Sequence, residues 1–153
     1  MRRWTTALVA GLLCMTLAGC GGEKKAFDPG ATAQALRQAP GVFSEELEEL
    51  DGAMVELLYG LEDSGVLEEV SWISPGGTAE EVTVLRFGSA DQAKAFEGAA
   101  RAHIAEVREA NESYRPQEIP KLDKAVVERR GETLLILVSA DYDAAKAALA
   151  TLD

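Results

Sequence analysis

The sequence is poor in the residues on which most small active sites depend. Its 153 residues contain one histidine and two cysteines, and they include no GxSxG, SxxK, GxGxxG or P-loop pattern. A serine triad would have to recruit the single histidine, and no glycine-rich loop is suited to cradle a phosphate. We therefore predict a protein that is not an enzyme and that has no cofactor.

Basic residues are also scarce, with 15 lysines and arginines against 26 aspartates and glutamates and a net charge of -11. A nucleic acid needs a basic stripe, so this class of partner is excluded. Adjacent glutamates at 45–46, 48–49, 68–69 and 80–81 raise the alternatives of a cation site or a glycosidase pair. Neighbours on a strand point to opposite faces, and the EF-hand ligand order is missing. We expect solvated surface and no metal site.

The first 20 residues differ from the rest of the chain. Arg2 and Arg3 precede an uncharged apolar run, "TTALVAGLLCMTLAG", which ends at Cys20. A run this short, after a basic start, is typical of a secretory signal and is too short for a membrane span. The segment "LAGC" at 17–20 resembles the lipobox of bacterial lipoproteins, in which the cysteine receives a diacylglyceryl group.

This resemblance implies lipid attachment at Cys20, which would leave a single cysteine in the mature chain and thus no intrachain disulfide. An ordinary signal peptide with an incidental cysteine is the alternative. The predicted organisation is a signal peptide over 1–19, which is removed, a lipidated tether over 20–27, and one globular domain over 28–153. The lipid would hold the protein on the membrane, at the outer face of the bacterial cytoplasmic membrane.

Two helices are expected before the first strand. Asp28 can cap a helix that Pro40 and Gly41 end, and its alanine-rich composition predicts a loosely docked arm. The next helical stretch is interrupted at Gly52, which predicts either one kinked helix or a loop followed by a helix over about 52–59. The next helical stretch also carries an apolar stripe with spacings of 3 and 4, for which a buried core face is favoured over a surface that binds a partner helix: Leu47, Leu50, Met54, Leu57 and Leu61.

Strand patterns follow at 67–74 and 80–87, and the turn "PGGTA" between them predicts a hairpin with one buried and one wet face. A long helix is expected from Ser89 to Tyr114, and a second strand pair over 124–130 and 132–139. The apolar run at 134–138 predicts a central strand. An alanine-rich helix, which Ser139 or Asp141 would cap, ends the chain.

The predicted fold class is α+β, with a four-stranded antiparallel sheet, helices across one face and N-terminal helices before the sheet. The segments "RFGSADQAKAF" and "LVSADYDAAKAAL" both place Ser-Ala-Asp between a strand and a helix. This echo is consistent with a ββα-ββα pseudo-repeat. Repeated capping chemistry alone would also produce it.

The candidate functional residues are few. His103 lies at the edge of the long helix's apolar stripe, where a packing role is favoured over catalysis because its nearest helical neighbours offer only Glu106 as a partner. Aromatic and basic residues often anchor interfaces. The predicted partner-contact residues are therefore Tyr59, Tyr114, Arg115 and Lys121.

Three separated segments carry a family resemblance: "LYGL", "GGTAEEVTVLRF" and "YRPQEIPKLDKAVVERRGETLLILV". They resemble a family of small Gram-positive bacterial lipoproteins that is classified only as a domain of unknown function. Gly77 precedes Thr78 without the family's usual alanine, and Leu61 replaces an isoleucine. The resemblance implies an extracytoplasmic protein, and it supplies no catalytic or ligand residues.

A membrane-anchored binding or accessory module, with a membrane or wall protein as partner, is thus the predicted function. The alternative is a hydrolase that acts on cell-wall or secreted substrates, for which the single histidine is a weak basis. A two-lobed solute receptor would need a longer chain.

Overall fold

The structure is a computed structural model that describes residues 24–152. Five α-helices lie in this part of the chain: α1 Pro29–Gln38, α2 Gly52–Tyr59, α3 Ala90–Tyr114, α4 Ile119–Leu122 and α5 Tyr142–Ala150. Five strands accompany them: β1 Glu48–Glu49, β2 Val66–Ile73, β3 Glu81–Phe87, β4 Val126–Arg130 and β5 Thr133–Val138. A short 3-10 helix, Pro116–Glu118, precedes α4. The predicted α+β class is confirmed.

The strands form one antiparallel sheet in the order β1-β2-β3-β5-β4. The prediction of four strands is wrong by one, because β1 pairs its two residues with Trp72 and Ile73 at the outer edge of β2. The hairpin between β2 and β3 is present, with Val70 opposite Val84. β5 lies between β3 and β4, and all six of its residues are buried.

The core has two halves, one on each side of the sheet. On β5, Leu134, Ile136 and Val138 face the first half, which α2, α3 and α4 cover. The alternate residues Leu135 and Leu137 face the second half, which α1 and α5 cover. The expectation of helices on one face only is therefore wrong, because β5 places apolar side chains on both sides of the sheet and each side is covered by helices.

The first helix is part of this core. Asp28 Oδ1 accepts a hydrogen bond of 2.8 Å from Ala31 N at its start. Ala33 and Leu36 are fully buried against the sheet, so the predicted loose arm is wrong. Phe27, which the sequence analysis places in the tether, is also buried. Its backbone N–H donates to Thr133 Oγ1 at 2.9 Å.

The second helix begins and ends where the loop-plus-helix prediction places it. Its buried face consists of Val55 and Tyr59, whereas the side chains of Met54 and Leu57 are 48% and 78% exposed. The predicted leucine stripe is thus not a single helix face. Leu47 and Leu61 are buried, but both belong to the segments that flank α2.

The sequence echo does not correspond to a repeated arrangement. In a true repeat, a two-fold axis would exchange the antiparallel neighbours β3 and β5. The helices that follow them, α3 and α5, would then lie on the same face of the sheet. Instead α3 packs on the first half of the core and α5 on the second. Both helices do begin with the expected caps, since Ser89 accepts from Gln92 N and Asp141 from Ala144 N.

Within residues 24–152, no helix is both long enough and apolar enough to cross a membrane.

Candidate functional site

The start of β3 carries two buried carboxylates. Glu80 and Glu81 are 1% and 6% exposed, so the expectation that this pair is solvated surface is wrong. Because successive side chains on a strand point to opposite sides, the two carboxylates enter different polar clusters. A buried charge is costly unless it is paired or hydrogen-bonded, and each cluster supplies partners.

Glu80 belongs to the first cluster, which we call the lysine cluster: Ser44, Glu80, Glu118 and Lys121. Glu80 Oε2 accepts from Ser44 N at 2.8 Å, and Oε1 accepts from Ser44 Oγ at 2.5 Å and from Lys121 Nζ at 2.8 Å. Lys121 Nζ also lies 3.0 Å from Glu118 Oε2. One ammonium thus bridges two buried carboxylates.

Local sequence explains how Lys121 reaches this position. Glu118 ends the 3-10 helix, and Pro120 lies in the first turn of α4, where a missing N–H costs nothing. The i,i+3 spacing then places Lys121 beside Glu118. Partial burial lowers the pKa of Lys121, but its hydrogen bonds to Glu80 and Glu118 outweigh this and raise it above the usual value.

The hairpin loop before β3 is braced from outside by Glu45. Its Oε1 accepts from Ser74 Oγ and, at 2.8 Å, from Thr78 Oγ1. These two hydrogen bonds lower the pKa of the Glu45 carboxyl. Ser74 Oγ in turn accepts from Thr78 N at 2.9 Å. The loop between β2 and β3 therefore has a fixed shape.

Glu81 belongs to the second cluster, the tyrosine cluster, which lies beneath α2: Tyr59, Ser71, Glu81, Thr83 and His103. Thr83 Oγ1 lies 2.7 Å from Ser71 Oγ and 2.9 Å from Tyr59 OH. Glu81 Oε2 lies 3.3 Å from both Tyr59 OH and His103 Nε2. This polar side of the hairpin, predicted to be wet, is buried beneath helices.

Burial dominates the chemistry of the tyrosine cluster. It raises the pKa of Tyr59 well above the usual value, and the neighbouring charge of Glu81 adds to the effect. The rings of Tyr59 and His103 lie 4.5 Å apart between centroids. His103 is buried, and its carboxylate neighbour is Glu81 rather than Glu106.

Arg115 and Tyr114 form a corner at the end of α3. Arg115 Nη1 donates to Gly76 O and Nε donates to Asn111 Oδ1, both at 2.9 Å. Asn111 is buried and donates from Nδ2 to Val107 O at 2.7 Å. Tyr114, in contrast, is 88% exposed. The guanidinium is thus fixed while the neighbouring aromatic ring faces solvent.

The four predicted contact residues have different fates. Tyr59 is buried, which contradicts a surface role. Tyr114 is on the surface. Arg115 and Lys121 approach the same hairpin loop from two sides, through Gly76 and Glu80 respectively. Cys20 lies outside the described residues.

Ser44 and Glu118 were not predicted as site residues, and Glu80 and Glu81 were predicted to be solvated surface. The sequence did offer one signal: Glu80 and Glu81 directly precede an apolar strand segment, within a stretch that carries the family resemblance. Among residues 24–152, no three histidine, cysteine or acidic side chains form a group able to hold a metal ion.

Fold and site together define an α+β domain with a doubly covered antiparallel sheet and a hairpin loop braced by buried ion pairs. Residues 41–139, well over half of the chain, match the family described as "Domain of unknown function (DUF4358)", and the chain belongs to this family. All three segments that carry the resemblance lie within this range, whereas the lipobox lies outside it. No curated protein and no solved structure matches the chain.

Proposed function

We propose that the protein is a lipid-anchored, extracytoplasmic module that binds another protein at the outer face of the cytoplasmic membrane. Support for the anchor comes from the basic start, the short apolar run and "LAGC" at 17–20. Phe27 is already buried in the domain, so only residues 21–26 would link it to the lipid. An extended chain from Cys20 to Phe27 reaches at most about 25 Å, which would keep the domain close to the bilayer.

The observation that carries the binding role is the corner formed by Tyr114 and Arg115. Tyrosine and arginine are among the residues most enriched at the energetic centres of interfaces. Arg115 is held by Asn111 and by the hairpin carbonyls, so little side-chain freedom is lost when a partner binds. A depression of about 440 Å³ adjoins both side chains and offers a partner room to insert.

A photo-crosslinking amino acid at position 114 tests the binding role in intact cells. We expect a discrete protein adduct from position 114 and none from the matched control at Tyr142, which is 37% exposed on α5. Arg115→Lys should reduce the adduct because lysine lacks the guanidinium fork. Equal adducts from both positions would contradict the proposal.

The anchor is tested by metabolic labelling with a fatty acid. Cys20→Ala should abolish labelling and leave unprocessed precursor, while Cys14→Ala should label normally because that residue lies in the removed segment. Labelling of Cys20→Ala at the wild-type level would contradict the anchor.

A further inference from the structure

A second surface, on α2 and the start of β2, differs from the corner at Tyr114 in its charge and in its exposed apolar side chains. The chain from Gln38 to Leu85 contains no lysine, arginine or histidine but carries twelve aspartates and glutamates. Only two of these, Glu80 and Glu81, are fully buried. The exposed part of this stretch is therefore acidic without any basic side chain of its own.

The same stretch carries four of the large apolar side chains that are exposed in the described domain. We call these four residues the leucine surface: Met54 (48% exposed), Leu57 (78%), Leu58 (40%) and Leu67 (64%). Leu67 lies where the register between β2 and β3 shifts, opposite no partner, and such a bulge re-aims a side chain. Met54, Leu57 and Leu58 lie within five residues of α2, and exposed apolar groups that lie together on a surface are typical of interaction sites.

A depression and negatively charged side chains lie together on this surface. A depression of about 710 Å³ is lined by Leu57 and Ala53 together with Glu56, Glu62 and Gly60. Gly60 closes α2 in the left-handed region at φ 62°, and the space where its side chain would stand is open. The depression is thus lined by apolar side chains and by two carboxylates.

We propose that the leucine surface binds a cationic amphipathic segment of a partner protein, one whose apolar side chains are flanked by lysines or arginines. Apolar side chains would fill the depression beside Leu57, and basic side chains would pair with Glu56 and Glu62. A second copy of this chain would bring acidic surface against acidic surface. An anionic bilayer would likewise repel these carboxylates.

The position of the surface suits a protein partner. Lys24, at the start of the described chain, contacts Glu128 on the edge strand β4. The α2 helix packs beside β2, which is three strand spacings away in the sheet, or about 14 Å. If the chain is anchored through Cys20, the leucine surface lies on the side of the sheet away from the tether.

Peptide binding tests the proposal on the full lipidated chain in nanodiscs of phosphatidylcholine, with empty nanodiscs as background. The probe is a fluorescent 18-residue helix of leucine and lysine, compared with its leucine–glutamate counterpart. We expect saturable binding of the lysine probe only. Leu57→Ser should weaken it by about tenfold or more, equivalent to about 1.4 kcal/mol, and should leave folding intact because the side chain is exposed.

Charge is tested by the double variant Glu56→Gln with Glu62→Gln, with Glu132→Gln in the exposed turn after β4 as the matched control. The double variant should weaken binding and flatten its salt dependence, and the control should do neither. Equal binding by the wild type and both patch variants, or binding of both probes alike, would overturn the proposal. So would a crosslinker at position 57 that captures only lipid or a second copy. The crosslink from position 114 is read separately, so failure here is distinguishable from failure of the proposed function.

Discussion

Replacement of Glu80 by glutamine tests whether the lysine cluster stabilises the fold. The Glu80 side chain is fully buried and receives hydrogen bonds from Ser44 N, Ser44 Oγ and Lys121 Nζ. Glutamine has almost the same shape, and its carbonyl oxygen can still accept from Ser44 N. Its amide nitrogen, however, would then take the place of Oε1 and face both the hydroxyl of Ser44 and the ammonium of Lys121, and the negative charge is lost.

The magnitude follows from the contacts that are lost. A hydrogen bond to a charged group contributes about 1.5–3 kcal/mol, and breaking a buried ion pair costs about 3–5 kcal/mol. Lys121 keeps Glu118 at 3.0 Å, so the upper value is not reached. We expect Glu80→Gln to lower the free energy of unfolding by about 2–4 kcal/mol. A domain of this size would then melt about 10 °C lower.

Urea denaturation followed by circular dichroism measures this change. Glu46→Gln is the matched control, because it removes the same charge from an exposed position and should stay within about 0.5 kcal/mol of wild type. A cycle with Lys121→Met should yield a coupling energy of about 1–3 kcal/mol with Glu80→Gln. If Glu80→Gln is as stable as Glu46→Gln, the cluster does not stabilise the fold.

Two further substitutions and one exchange measurement test the buried parts of the fold. The unfolded chain releases the Tyr59 proton near pH 10, whereas the folded chain retains it because its pKa is raised. The contribution of Tyr59 to the free energy of unfolding is therefore constant below about pH 10 and falls as the pH rises towards the folded pKa. Urea titrations at pH 9 and pH 11 should therefore show a smaller loss for Tyr59→Phe than for wild type or Tyr142→Phe. Leu36→Ala should cost about 2–5 kcal/mol if α1 is a core helix, and a loose arm would cost almost nothing. Amides of residues 134–138 should be among the slowest to exchange, and rapid exchange there would contradict an internal β5.

Much of the local structure could be predicted because its signals lie within a few residues. Caps at Asp28, Asp51 and Ser89 each accept a hydrogen bond from the residue three positions later. The turn cluster between β2 and β3 likewise joins residues that are neighbours in sequence. Such contacts depend little on the rest of the chain, so the starts of α1 and α3 and the hairpin could be placed correctly, whereas the start of α2 was one of two alternatives.

The layering of the domain depends on contacts that alternation alone does not specify. Ser71 and Thr83 are polar and alternate with valines, which is typical of a strand with one wet face. They are nevertheless buried, and their hydroxyl groups find partners within the fold: Thr83 lies within hydrogen-bond distance of both Ser71 and Tyr59 on α2. A polar residue with a distant partner looks the same in sequence as one that faces water. This explains why helices were expected on one face only.

The site was hidden for the same reason. Glu80 meets Ser44 across 36 positions of sequence and Lys121 across 41. Adjacent glutamates without a visible cation are normally solvated surface. Only the folded chain brings the ammonium to the carboxylate, and neither residue type nor spacing predicts that meeting.

The three segments that resemble the family meet around the hairpin loop. The first supplies Tyr59, the second Glu80 and Glu81, and the third Arg115 and Lys121. Side chains from all three segments thus meet at the hairpin formed by β2 and β3. This distinguishes two residues that the sequence analysis grouped: Lys121→Met should lower stability, whereas Tyr114→Ala, at an 88% exposed position, should leave stability unchanged and remove only the partner contact. If Tyr114→Ala unfolds the domain instead, the corner is a brace as well, and the binding role loses its main support.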